Sequence, residues 1–128
     1  MPKNTQLPSA LWESLPSNLR DAAYRSASEV AWIRQDALSV VEFLHEQGYA
    51  VLGVDIWIPT GTSPTVPEAV CDLDSSRLPS EVWHTYVERS YGQAKKFIST
   101  FEFDEDDRAK YKVVAPLFNV WAETQDEK

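Results

Sequence analysis

Apolar residues at Ala37, Leu38, Val41 and Leu44 follow the i, i+3, i+4 rhythm of a helix with one buried stripe, so a helix is predicted over residues 34–47. Gly48 supplies its stop, since glycine readily takes the left-handed conformation of a C-terminal cap. The period then changes to two. Residues 49–58 read as a strand with Ala50, Leu52, Val54, Ile56 and Ile58 towards the core and Tyr49, Val51, Gly53, Asp55 and Trp57 on the other side. Pro59, Gly61, Ser63, Pro64 and Pro67 make a loop, after which residues 70–73 return as a short edge strand. Trp83, Val87, Tyr91, Ala94, Ile98 and Phe101 form the stripe of the longest helix, opened by Pro79 and capped by Ser80. Gly92 within it costs about 1 kcal/mol relative to alanine, which predicts close packing or a bend there.

The flanks are less regular. Pro2, Pro8 and Pro16 predict an extended N-terminal arm over residues 1–18, pinned by Trp12, and Leu19, Ala22 and Ala23 predict a short helix over 18–27. Residues 103–110 read as an acidic turn, residues 112–121 as an extended segment interrupted by Pro116, and residues 122–128 as a frayed tail. Residues 19–121 thus form one α+β domain of two layers, with helices packed on one side of a small antiparallel sheet.

Composition narrows the function. Twenty Asp and Glu against 12 Lys and Arg give a net charge of -8, which disfavours binding nucleic acid through its phosphates or docking on an acidic membrane surface. A single cysteine, Cys71, excludes an internal disulfide framework and fits a reducing cytoplasm. Leu7, Leu11, Trp12 and Leu15 are separated by polar residues and prolines, so no signal-peptide block is expected.

No motif carries catalysis, a metal or a cofactor. His45-Glu46 lacks the second histidine of a zinc-protease helix, and His45 reads instead as a residue of a helix's last turn. His84, beside Trp83, reads as a surface or hydrogen-bonded histidine. Asp104-Glu105-Asp106-Asp107 begins like a calcium loop, but Arg108, Ala109 and Ala115 stand where the fifth ligand, the glycine and the bidentate glutamate belong. Gly61-Thr62-Ser63-Pro64-Thr65 matches a nucleophile elbow only at its first and third positions, and Cys71 has no base or helix start beside it.

Charge is the uneven feature. Residues 35–88 hold nine acids, Asp36, Glu42, Glu46, Asp55, Glu68, Asp72, Asp74, Glu81 and Glu88, against Arg77 alone, a net of -8 that equals the whole chain's. One negative face is predicted, suited to steering a basic partner, although ordinary solubility is the plainer use of the same charges. Trp57 shares a strand side with Asp55, either covered by another element or exposed as an interface anchor.

The run Ala50-Val51-Leu52-Gly53-Val54-Asp55-Ile56-Trp57, followed by Trp83, Tyr86, Val87, Ser90, Ala94, Phe97 and Ile98 on the long helix, resembles the immunity protein 40 family of bacterial polymorphic toxin systems over about residues 36–121. Val54 stands where that family usually has a second glycine, and Ala69-Val70-Cys71 where it has an aromatic pair. The resemblance implies a cytoplasmic, non-enzymatic α+β protein that binds and neutralises a toxin, usually one encoded beside it. The expected interface on a basic toxin surface comprises Asp55, Trp57, Glu68, Asp72 and Asp74. Two other readings stay open: an adaptor domain using Arg89, Lys95 and Lys96 of the long helix, and a small enzyme using Asp55 with Asp72.

Overall fold

A computed structural model of the chain describes residues 6–26, 28–58, 72–111 and 115–125. The elements run α1 (Ser9–Ser14), α2 (Ser17–Ala22), β1 (Tyr24–Ser26), β2 (Glu29–Ala31), α3 (Arg34–Glu46), β3 (Ala50–Trp57), β4 (Asp72–Asp74), α4 (Trp83–Thr100), α5 (Glu105–Tyr111) and β5 (Leu117–Glu123). An antiparallel sheet of order β4-β3-β5 carries α3 and α4 on one side, and the hairpin β1-β2 continues beyond β5 through a bridge between Trp32 and Phe118. The α+β architecture expected from the alternation of periods is the one found.

The core lies between the helices and the inner sheet face. Ala37, Val40, Val41 and Leu44 of α3 and Ala94 and Ile98 of α4 meet Val54 and Ile56 of β3 and Phe118 and Val120 of β5. The end of α3 is a Schellman motif: Gly48 takes φ +80°, its N–H bonds the His45 carbonyl at 3.1 Å, and the Tyr49 N–H bonds the Leu44 carbonyl at 2.9 Å. Arg34, at the start of α3, caps another helix. Its Nη1 donates to the carbonyls of Ile98 (2.6 Å) and Phe101 (3.0 Å), which the last turn of α4 leaves without intrahelical partners.

Six expectations change. Residues 9–14 are helical where an extended arm was expected, because Pro8 and Pro16 sit at helix N-caps, where no backbone N–H is needed, and Leu7, Leu11, Leu15 and Leu19 are all buried. The short helix ends at Ala22, giving way to β1, and the acidic turn contains α5. In β3 the register slips between Val51 and Gly53, a bulge at Leu52 that puts Val51 with Val54, Ile56 and Ile58 in the core and leaves Leu52 half-buried. The Ser90 hydroxyl accepts the Val51 N–H at 2.9 Å beside that bulge. The long helix begins at Trp83, so Ser80 is not its cap: Val82 holds that position without a side-chain bond, and Ser80 has φ +66°. Gly92 is exposed, and a Cβ there would meet nothing within 4 Å, so neither close packing nor a steric need for glycine accounts for it.

Candidate acidic interface on the outer sheet face

Alternation along β3 and β5 divides their side chains cleanly once the bulge is passed. With Val54, Ile56, Phe118 and Val120 turned to the helices, Gly53, Asp55, Trp57, Leu117, Asn119 and Trp121 belong to the outer face. Register sets Gly53 opposite Asp74 and Asp55 opposite Asp72 on β4, the edge of the three-stranded sheet. Asp55 and Asp74 rim a shallow depression of about 200 Å³ floored by Gly53 and bordered by Leu52, Leu73 and Trp121. The half-buried Trp121 is oriented by a hydrogen bond from its Nε1 to Asn119 Oδ1 at 2.6 Å, and Asn119, fully buried, donates to the Val30 carbonyl at 2.8 Å.

Of the residues predicted for a partner interface, the fold brings three backbone positions together, those of Asp55, Asp72 and Asp74. Asp74 is exposed, and its carboxylate accepts both the N–H and the hydroxyl of Ser76, which holds its pKa below the ordinary carboxylate value. It is therefore an anion across the physiological range. Trp57 is 3% exposed, packed with Leu117 and with Ala31 of the neighbouring hairpin, so the open alternative resolves to the covered case and Trp57 offers no surface to a partner. Glu68 and Cys71 lie outside the described residues.

The single negative face expected from the charge window does not form. Its acids share one stretch of sequence, but cations from further along the chain fold back onto two of them. Lys95 lies 3.2 Å from Glu42, which also accepts the Tyr91 hydroxyl at 2.7 Å, and these contacts lower the Glu42 pKa. His45 stacks on Tyr91 with ring centroids 4.0 Å apart and meets Glu88 at 2.8 Å. Arg89 grips Glu81 with Nε and Nη2 at 2.7 and 2.8 Å, a fork that holds the Glu81 pKa at about 2. The helix side thus carries these paired groups, and Asp55, Asp72 and Asp74 hold positions on the sheet and its edge. The same pairing engages Arg89 and Lys95, two of the three residues on which the adaptor reading relied.

Sequence reasoning missed the connection from β4 to α4. Leu78 is 52% exposed and Val82 62%, yet the backbone between them is fixed. Arg89 donates to the carbonyl of Ser76 at 2.9 Å, Ser75 donates to Gln93 at 2.9 Å, Leu78 N–H donates to Glu81 at 2.9 Å and Arg77 Nε to the Glu81 carbonyl at 2.8 Å. Apolar tips with no periodicity leave no signal in the sequence; only the Arg89 and Glu81 contacts distinguish this loop. A recess of about 230 Å³ between the N-terminal segment and the β1-β2 hairpin has Arg25 as its one titratable lining residue, so no set of acid and base groups converges there. Among the described residues, no three His, Cys, Asp or Glu side chains are grouped to hold a metal ion.

The sequence profile of the immunity protein 40 family matches residues 18–115. No curated protein and no solved structure matches significantly. That profile spans α2 to the residues before β5, including the whole of the bulged strand, its acidic edge partner and the clamped helix, and the chain belongs to the immunity protein 40 family.

Proposed function

We propose that this protein binds a cognate toxin in the cytoplasm of the producing cell and neutralises it by stoichiometric contact, without turnover of its own. The family supplies the class of partner. The observation that carries the surface is the register of β3 and β4, which sets Asp72 opposite Asp55 and places Asp74 two residues along at the rim of the Gly53–Trp121 depression. Two acids at directly paired positions are not a choice that strand pairing itself favours. Against a basic toxin surface the same arrangement becomes favourable and raises the rate of encounter. Glu68, just ahead of β4 in the chain, belongs to the same proposed anionic surface by charge.

Co-expression with the toxin gene of the neighbouring reading frame tests the function: growth is expected with this protein and arrest without it, and arrest in both cases would refute neutralisation. The surface is tested separately by Asp72→Lys with Asp74→Lys. Association should slow about 10-fold or more at low ionic strength and lose most of its salt dependence. An association rate equal to wild type at every salt concentration would exclude this patch.

A further inference from the structure

We infer that the loop of residues 75–82 is the anchor of the toxin interface, with Leu78 and Val82 entering an apolar recess on the toxin whose rim is basic. This rests on the toxin-binding reading above. The loop's ordering is out of proportion to its task as a connection. Eight residues between a strand and a helix need only close the gap, and solvent can satisfy their polar groups. Here the side chains of Arg89, Glu81, Asp74 and Gln93 converge on it. Arg89 Nη1 bonds Gln93 Oε1 at 3.0 Å while Nη2 reaches the Ser76 carbonyl, and Glu81 Oε1 takes both Arg89 and the Leu78 N–H. The Glu81 side chain is only 6% exposed although it caps no helix. Ser80 is held at φ +66°, a conformation that a non-glycine residue keeps only where its surroundings impose it.

The outcome of that ordering is to hold two branched aliphatic side chains in solvent. Leu78 and Val82 are more exposed than the other large exposed hydrophobics among the described residues, Tyr24 and Ile33, and they stand on a backbone whose freedom has been removed before any partner arrives. Preorganisation of this kind matters to binding, because ordering a mobile loop at the interface subtracts directly from affinity. Continuity with the acidic face selects the occupant. Ser76, the second residue of the loop, binds the Asp74 carboxylate through its N–H and hydroxyl, so the last acid of the strip and the first turn of the loop are one hydrogen-bonded unit. A partner drawn to the exposed Asp74 therefore meets, in the next residues of the chain, the loop that carries Leu78 and Val82. Its contact surface must be apolar opposite the tips and cationic opposite the strip, as expected of a toxin with a basic face.

The two parts should separate kinetically. Leu78→Ser with Val82→Ser, measured against the toxin domain encoded by the neighbouring reading frame, is expected to raise the dissociation rate at least about 100-fold with an association rate within a few-fold of wild type, as loss of two buried anchors does. Leu78→Met with Val82→Ile keeps the apolar tips and should retain slow dissociation. Both positions are exposed, so the urea midpoint of either variant should match wild type. If wild type binds and the serine variant dissociates as slowly, the anchor is overturned while the toxin reading stands; if wild type does not bind that toxin at all, both fall. A concentration-dependent dimer of the free protein that the serine variant abolishes would assign the tips to self-association and overturn the inference as well.

Discussion

Gly53→Ala provides a direct mechanical test of the acidic edge. A methyl carbon at Gly53 would sit 2.6 Å from the Leu73 carbonyl oxygen, 3.7 Å from the carbonyl carbon and 3.9 Å from Asp74 Cα, all backbone atoms of β4. Ordinary contact begins at 3.4 Å, and no side-chain rotation relieves a clash with backbone, so β4 has to retreat by a fraction of an ångström and its ladder hydrogen bonds lengthen. The dihedrals themselves are not the obstacle, since Gly48 is the described glycine with positive φ. Overpacking of this kind costs about 1–3 kcal/mol, against which the loss of unfolded-chain freedom on going from glycine to alanine returns about 0.4–1 kcal/mol. The net is a destabilisation of about 1–2 kcal/mol, or a melting temperature lower by about 4–8 °C for a domain of this size. Gly92→Ala is the matched control. Its Cβ meets nothing within 4 Å in the middle of α4, so helix propensity alone acts and stability should rise by up to about 1 kcal/mol. Urea unfolding with a common m-value reads both. A Gly53→Ala variant at or above wild-type stability would refute the close approach of β3 to β4, and with it the geometry that aligns Asp74 beside Asp55.

Two further tests address the frame around that edge. Gln6 is buried and its amide donates to the carbonyls of Val30 (2.9 Å) and Val120 (2.6 Å) while its Oε1 accepts the Val30 N–H (2.8 Å); Gln6→Leu strands these groups and should cost about 2–4 kcal/mol by urea unfolding, a loss below about 0.5 kcal/mol counting against the bridge. The Glu81 carboxyl is depressed from its ordinary 4.5 to about 2 by Arg89, so its contribution to stability is complete above pH 4.5 and disappears as the pH falls towards 2; Arg89→Met should flatten the urea midpoint across that window, and an unchanged acid limb would disprove the coupling.

Clean periods made α3, β3 and β5 legible, and their partner faces with them. Other parts depended on information that a local window does not hold. The spacing of Leu7, Leu11, Leu15 and Leu19 at four residues was present in the sequence, but Pro8 and Pro16 read as breakers when they in fact initiate two short helices. One extra residue at Leu52 brings Val51 into the core in place of Leu52 while Ala50 stays buried against Tyr86 and Val87, and a bulge has no compositional mark except the glycine beside it. Glu81 is drawn into the Arg89 fork and the Leu78 N–H, so the chain enters α4 two residues later than a cap at Ser80 would have it. Trp57 is covered through Ala31, which approaches from 26 positions earlier in the chain.

The charge window failed for the same reason, and its failure sharpens the surface. Summing charge along a segment treats neighbours in sequence as neighbours in space, whereas Arg89 and Lys95, both outside the window, return to Glu81 and Glu42. Cations in contact with carboxylates cancel most of each other's field at distances beyond the pair, while acids with no cation so placed act over a Debye length of about 8 Å at physiological salt. Once those pairs on the helix side are set aside, such a field can be assigned to Asp74 on the sheet edge, exposed and bonded to the uncharged Ser76. Steering depends on that remainder and is weakened by salt; adhesion through Leu78 and Val82 depends on area removed from water and is not. On the proposed reading the protein therefore has an encounter rate that ionic strength controls and a lifetime of the complex that it does not. A dissociation rate that climbs steeply with salt would mean that the carboxylates, and not the apolar tips, hold the toxin.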